Sequence, residues 1–341
     1  MRFHLGTIFF RTAIISLALI SSASAQTFKI ATLSPDGSLW MKKMRAGAAE
    51  IKTLTDARVK IKFYPGGIMG DDKAVLRKIR VGQLHGGALA GGSLAKFYKD
   101  SQIYNLPLKF KNYKEVDFVR SKLDQKIMAG FEQKGFVTFG LAEGGFAYAM
   151  SKNAPITRVE QLKEFKVWVP SDDKASLVIT QAYDISPIPL SIADVLPALQ
   201  TGIINAVATS PIAAIALQWH TQVEYITNIP LMYFYAVLAI NKKSFSKLSQ
   251  PDQKIVRQVM EKIFDDLNQQ NRKDNISAFA ALQSQGIKLS NPTPQQLSLW
   301  NIKAEAASQN LVDKGELSAD SLKQLESLLS TYRTQHAVAH Q

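Results

Sequence analysis

Few side chains in this sequence have the types and spacing that covalent chemistry requires. The chain contains no cysteine, which removes thiol nucleophiles, disulfides and thiolate metal ligands. A Gly-x-Ser-x-Gly elbow, a Walker loop, a zinc-binding His-Glu-x-x-His pair and a dinucleotide-binding glycine fingerprint are all missing from it. We therefore predict that the protein is not an enzyme and carries no prosthetic group, cofactor or metal.

Two acidic pairs and two C-terminal histidines are the remaining candidates for acid–base or metal chemistry. Asp71-Asp72 and Asp172-Asp173 each precede a segment of helical periodicity, where a carboxylate caps the helix and interacts favourably with its dipole. His336 and His340 would share one helical face, but they lie in a polar terminal tail. Helix capping and a frayed end are the simpler interpretations of these residues.

The N-terminus has the pattern of a secretory signal peptide. Arg2 and Arg11 flank a short n-region, an apolar run follows over 12–20, and Ala23-Ser24-Ala25 forms a small-x-small cleavage site. The run has roughly ten residues, which is well short of the ~20 that cross a bilayer. We predict a signal peptide over 1–25, a mature chain starting near Gln26, and localisation in the periplasm.

The charge balance is basic, with 41 Lys and Arg against 28 Asp and Glu. These basic residues are dispersed over separate amphipathic segments, a distribution typical of solvated faces. The resulting field favours anionic partners such as acidic lipid headgroups or an acidic docking surface. Nucleic acid is not expected as a partner in the periplasm.

The segments that must position any site alternate between strand and helix patterns. Residues 28–32 and 59–64 alternate apolar and polar side chains, and helical spacing follows each of them. The alternation of strand and helix patterns begins again after Asn153. A long amphipathic helix starts after Ser249-Gln250-Pro251-Asp252. Since the mature chain is longer than one core usually organises, we predict an α/β protein of two lobes.

A collinear set of motifs resembles one family, the solute-binding proteins of TRAP-type (tripartite ATP-independent periplasmic) transporters. The set covers nearly the whole mature chain. It consists of Phe63-Tyr64-Pro65-Gly66-Gly67-Ile68-Met69-Gly70-Asp71-Asp72, Arg80-Val81-Gly82, Asn105-Leu106-Pro107-Leu108, Pro155-Ile156 with Leu162-Lys163-Glu164-Phe165-Lys166-Val167, Pro187-Ile188-Pro189-Leu190, Ala198-Leu199-Gln200-Thr201-Gly202-Ile203-Ile204-Asn205 and Ile240-Asn241-Lys242-Lys243. Read from the residues alone, Pro65-Gly66-Gly67 predicts a sharp turn and Gly202 a helix end.

The resemblance implies a two-lobed periplasmic binding protein fold, class II-like, with hinge strands, one long helix and a ligand in the interlobe cleft. Lobe I is then expected over 26–150 plus 238–280, and lobe II over 151–237 plus 281–341. The implied function is a receptor that delivers a small-molecule ligand to membrane permease subunits. A related receptor that works with a periplasmic helical-repeat partner, carrying a lipid-like ligand, is the alternative.

The chain departs from the family pattern where relatives bind a carboxylate. Trp168 occupies the position of the family's arginine, whose guanidinium grips a carboxylate with two parallel hydrogen bonds. Ser210 replaces the family's asparagine, and residues 144–150 contain no basic side chain. Enclosing an unpaired carboxylate is costly, so we expect an apolar or amphipathic ligand. A carboxylate held by another cation, such as Lys96 or Lys174, is the second hypothesis.

The same resemblance predicts which residues contact the ligand. The aromatic residues would supply shape and apolar contact, and each serine a single hydrogen bond. The predicted contacts are Ser34, Trp40, Gly91, Ser93, Phe146, Tyr148, Trp168, Ser171, Ser210 and Tyr233.

Overall fold

The computed structural model describes residues 25–171 and 173–337. The predicted signal peptide lies outside these residues except for Ala25. The strands are β1 (Gln26–Thr32), β2 (Val59–Tyr64), β3 (Gly86–Ala90), β4 (Phe136–Val137), β5 (Ala142–Ser151), β6 (Trp168–Pro170), β7 (Ile188–Leu190), β8 (Ala206–Thr209), β9 (Tyr225–Thr227), β10 (Met232–Asn241) and β11 (Lys288–Ser290). The helices are α1 (Leu39–Leu54), α2 (Asp72–Arg80), α3 (Tyr113–Gln133), α4 (Lys174–Ala182), α5 (Ile192–Thr201), α6 (Pro211–Ala216), α7 (Lys242–Phe245), α8 (Gln250–Ser284), α9 (Pro294–Asp313) and α10 (Ala319–Ala337). Within the described ranges, no helix combines the length and the apolar character needed to span a bilayer.

The first lobe is built on a parallel sheet, as the alternating patterns predict. Strand β1 pairs in parallel with both β2 and β3. Phe28 and Ile30 of β1 are buried while Lys29 between them is exposed, so one face of the strand carries the apolar side chains. Met41 and Met44 of α1 cover that face and share its core.

Strands β5 and β10 connect the two lobes. Residues Ala142–Ala147 of β5 pair antiparallel with β10, whereas Tyr148–Ser151 pair with β8. At its other end β10 pairs with β3 through Ala236–Ile240. Each strand therefore begins in one lobe and ends in the other, which confirms the predicted hinge strands.

Helix α8 spans both lobes. It begins at Gln250, where the side chain of Ser249 accepts a hydrogen bond from the backbone N–H of Asp252 at 3.2 Å. Met260 in its first half belongs to the core of the first lobe, and Leu282 near its end belongs to the core of the second. A single helix of 35 residues thus fixes part of the connection between the lobes.

Several short strands lack a clear signal in the sequence. Strand β3 has the sequence Gly-Gly-Ala-Leu-Ala, which has no β-branched residue to favour a strand. Its glycines are required by close packing, because a Cβ on Gly86 would lie 2.5 Å from the carbonyl oxygen of Ala239. Strands β7 and β11 have three residues each and are held by pairing with β6 and β9.

The last two helices fold back over both lobes. Helix α9 packs against α4, and α10 packs against α3, where Lys126 Nζ donates to Gln324 Oε1 at 2.6 Å. The buried Lys109 forms ion pairs with Glu305 of α9 at 2.6 Å and with Glu326 of α10 at 2.7 Å. Helix α10 therefore contacts a segment assigned to lobe I, and the lobe boundaries within the chain remain a prediction.

Candidate functional site

A cavity of about 470 Å³ lies between the lobes. The loop after β1, the end of β3 and the 91–93 turn line it from the first lobe. Strands β6 and β8, helix α4 and the start of α6 line it from the second lobe. Loops and element ends that meet between two rigid lobes are the usual setting of a small-molecule site.

The Pro-Gly-Gly motif holds one wall of this cavity in place. The N–H of Gly66 donates to the carbonyl oxygen of Ser34, and the N–H of Gly67 to that of Thr32, both at 3.0 Å. Both glycines have positive φ, which most side chains disfavour. The motif therefore acts structurally, by fixing the loop that brings Ser34 to the cavity.

Packing also explains the glycine of the second predicted loop. A Cβ on Gly91 would lie 2.3 Å from the ring of Tyr235, whose hydroxyl donates to the carbonyl oxygen of Ser101 at 2.7 Å. Burial raises the pKa of that hydroxyl, so it stays a donor. Nearby, the hydroxyl of Ser93 donates to Asp72 Oδ2 at 2.6 Å.

Trp168 lies on the opposite wall and offers the cavity an apolar surface. Its side chain is 7% exposed and packs edge-to-face on Trp219, with ring centroids 5.1 Å apart. The indole N–H donates to the carbonyl oxygen of Leu190 at 3.1 Å. Because the only polar atom of the side chain is already bonded, the indole gives the ligand neither charge nor a hydrogen bond.

The charged residues on the wall are all acidic. The lining includes Asp71, Asp72, Glu143 and Asp173, and none of the described lining residues is Lys or Arg. The two lysines proposed as substitute cations, Lys96 and Lys174, do not line the cavity.

Two of these carboxylates cap helices, which confirms the predicted capping at both positions. Asp71 accepts a hydrogen bond from the N–H of Ala74 at 2.9 Å, at the start of α2. Asp173 accepts from the N–H of Ser176 at 3.1 Å, at the start of α4. Both carboxylates therefore have a structural role at a helix N-terminus.

Glu143 belongs to a buried network at the hinge. Its carboxylate is fully buried and accepts hydrogen bonds from Arg272 of α8 and, at 3.1 Å, from the hydroxyl of Tyr233. Arg120 Nη1 donates to that same hydroxyl at 2.9 Å. The network links α3, β5, β10 and α8 to one another. Its charged groups are therefore paired within the hinge.

Most of the predicted contact residues come together at the cavity. Those that line it are Ser34, Trp40, Gly91, Ser93, Trp168, Ser171 and Ser210. Ser210 is buried at the N-cap of α6, and its hydroxyl makes no capping hydrogen bond. Direct ligand contact by these residues remains a prediction.

The structure does not bring Phe146, Tyr148 or Tyr233 to the cavity wall. Phe146 packs between the rings of Tyr113 and Tyr233, at centroid distances of 4.9 and 5.8 Å. Tyr148 packs on Phe279 of α8 at 4.9 Å. The two β5 residues point to one face of the strand, and Ala149, on the other face, lines the cavity.

Sequence reasoning missed the side chains that the end of α4 and helix α9 add to the wall, among them Tyr183, which directly follows α4, and Trp300. No motif marks them, because their contact joins distant parts of the chain. Of the described lining residues, two carry a buried polar atom without a hydrogen-bond partner: Asn105 Oδ1 and the hydroxyl of Tyr183. In the same described ranges, no cluster of three or more His, Asp or Glu side chains could hold a metal ion.

Two α/β lobes that share strands around one cleft have the architecture of a solute-binding receptor. Residues 30–314 match the DctP family, described as bacterial extracellular solute-binding protein, family 7. The chain belongs to this family.

Individual relatives share the fold at low sequence identity. The chain is 23% identical over 288 residues to the sialic acid-binding periplasmic protein SiaP of Vibrio cholerae, covering 82% of this chain and 88% of that protein. The sugar acid binding protein DctPAm from Advenella mimigardefordensis, in complex with galactonate, matches with a TM-score of 0.82 and 17% identity over 90% of this chain and 99% of that one. A TRAP solute-binding protein from Sulfurospirillum deleyianum with bound succinate matches with a TM-score of 0.80 and 17% identity, over 89% and 99% of the two chains.

Proposed function

We propose that this receptor serves a TRAP-type transport system and that its cleft selects a small apolar or amphipathic solute without a carboxylate. The observation that carries this proposal is the charge of the cavity wall. In the part of the chain that the structure describes, Asp71, Asp72 and Asp173 line the wall besides the arginine-paired Glu143, and no Lys or Arg lines it.

The energetics of an enclosed cleft favour such a solute. Two like charges 4 Å apart repel each other by about 4 kcal/mol at an effective dielectric constant of about 20. An acid in this cavity would meet that repulsion as well as the cost of desolvation, with no cation on the described wall to offset them. An uncharged solute that buries roughly 200 Å² of apolar surface gains about 5 kcal/mol instead.

The second candidate is a receptor for a carboxylate held by a different cation. Its support comes from relatives, since SiaP is named for sialic acid and the solved neighbours hold galactonate and succinate. For this chain, neither Lys96 nor Lys174 lines the cavity, so neither of the two proposed cations contacts the cleft in this structure.

A matched pair of probes separates the two candidates. 1-Octanol and octanoate have the same chain length and differ in the carboxylate. Isothermal titration calorimetry of the mature protein should give a dissociation constant at least tenfold lower for 1-octanol than for octanoate. Sub-micromolar binding of octanoate, succinate or galactonate, together with no binding of the alcohol, would support the carboxylate receptor and overturn the proposal.

The proposal also includes the setting of the receptor. Export would use the signal peptide predicted over 1–25, and the loaded receptor would deliver its solute to permease subunits in the membrane. The helical-repeat partner and a specifically lipid-like ligand remain predictions from the sequence.

A further inference from the structure

Six apolar and aromatic side chains, called here the apolar end, line part of the cavity. They come from the 159–164 turn, helix α4 and its following loop, the segment before β10, and helix α9. Each is 9% exposed or less, and all belong to one hydrophobic cluster: Leu162, Ile179, Tyr183, Ile185, Leu231 and Trp300. The apolar surface around Trp168 and Trp219 belongs to a separate cluster.

This apolar end is fixed by contacts within the protein. The rings of Tyr183 and Trp300 pack at a centroid distance of 6.0 Å, and the indole N–H of Trp300 donates to the carbonyl oxygen of Thr157 at 3.0 Å. An ion pair of 2.8 Å between Lys303 and Asp184 ties α9 to the end of α4. The wall is therefore shaped without help from a ligand, which lowers the cost of binding.

Two polar side chains of α4 also line the cavity, but both of their hydroxyls are bonded within the protein. Thr180 donates to the carbonyl oxygen of Ser176 at 2.9 Å, and Ser176 donates to Asp173 Oδ2 at 2.6 Å. Ser34, Ser93, Ser171 and Ser210 line other parts of the cavity, and Ser171 is exposed. Ser34, Ser93 and Ser171 are at least partly exposed, whereas Ser210 and the six apolar side chains are buried.

We infer that the part of the cavity lined by the apolar end is a subsite for the alkyl or ring portion of a neutral amphipathic solute. The uncharged polar group of that solute would lie among the serines. The inference rests on the proposed function, because it specifies how a solute without a carboxylate is held.

The dependence of affinity on chain length tests the subsite. Each methylene buried there should tighten binding roughly fourfold, so 1-alkanols from butanol upward should bind progressively more tightly until the subsite is full. Ile179→Trp enlarges a side chain of the apolar end. It should shorten the chain length of the tightest-binding alcohol by about two carbons. Alcohols at the wild-type optimum should then bind about 15-fold more weakly, and short alcohols should bind unchanged.

Matched variants make the outcome specific. Leu217→Trp enlarges a lining residue that packs with the Trp168 cluster, and it should leave the optimum length unchanged. If Ile179→Trp does not fold, Ile179→Ala tests the same point with the opposite sign and should lengthen the optimum. If the optimum chain length of the bound alcohol changes in Leu217→Trp but in neither Ile179 variant, the subsite assignment is overturned while the proposed function stays intact. Binding of acids without binding of alcohols would overturn the proposed function itself.

Discussion

Replacing Trp168 by arginine places a guanidinium where the wild-type wall presents an indole. In the wild type the indole N–H is bonded to Leu190 and the ring packs on Trp219 at 5.1 Å. The substitution removes an aromatic pair worth about 1 kcal/mol. We expect Trp168→Arg to fold with an unfolding free energy lowered by about 2 to 4 kcal/mol, because a charge is added at a buried position.

The effect on binding should change sign with the charge of the solute. A charge-assisted hydrogen bond contributes about 1.5 to 3 kcal/mol, so succinate and octanoate should bind roughly 10- to 150-fold more tightly to Trp168→Arg than to the wild type. 1-Octanol should bind at least about tenfold more weakly, because it would cover a guanidinium without pairing it.

Isothermal titration calorimetry with the three probes measures these changes, and urea denaturation checks that the variant is folded. Trp168→Leu is the control, since it removes the same indole without adding charge. The control should weaken 1-octanol binding modestly and gain no affinity for acids. If both variants bind all three probes as the wild type does, Trp168 is remote from the ligand and the reasoning fails.

Three further substitutions test separate parts of the account. Gly91→Ala should lower the unfolding free energy by about 1 to 3 kcal/mol in urea denaturation, because the added Cβ would lie 2.3 Å from a buried tyrosine ring. The control Gly37→Ala, at an open position, should change the unfolding free energy by less than about 0.5 kcal/mol. Equal effects of the two substitutions would refute the packing argument. A hydrogen bond from Arg58 holds the pKa of Asp252 below its usual range, so this carboxylate stabilises the fold at neutral pH and the contribution is lost as the pH falls through the lowered pKa. Asp252→Asn should therefore cost about 1 kcal/mol near pH 7 and nothing near pH 2, and a pH-independent loss would contradict the assignment. Tyr183→Phe removes a buried hydroxyl without a partner and should raise the unfolding free energy by up to about 1 kcal/mol, with 1-octanol affinity unchanged; weaker binding would show that the ligand bonds to this hydroxyl.

Local signals in the sequence were sufficient for much of the fold. The Ser249 cap predicts the start of α8, and Gly202, with φ of 73°, ends α5 as its position in the motif indicates. Strand β3 escaped prediction because its glycines and alanines are selected by close packing against β10, which a single segment does not reveal. Pairing partners distant in sequence also determine β7 and β11.

The residues of the candidate site likewise fall into two groups: those marked by local motifs, which could be predicted, and those placed by tertiary packing, which could not. Residues on loops beside family motifs, such as Ser34 and Trp168, do line the cavity. Phe146 and Tyr148 do not, because β5 is buried on both faces and its composition does not distinguish the face toward the cavity from the face toward the helices. The apolar end was missed since Tyr183 and Trp300 meet only through the packing of α4 on α9.

The most direct test of the central claim is to identify the molecule that the receptor carries from its own periplasm. Native mass spectrometry of the purified protein, followed by release and analysis of the bound molecule, gives its mass and its functional groups. We predict one neutral molecule per chain, with an apolar portion and no carboxylate. A bound carboxylic acid would contradict the account, whichever side chain holds it.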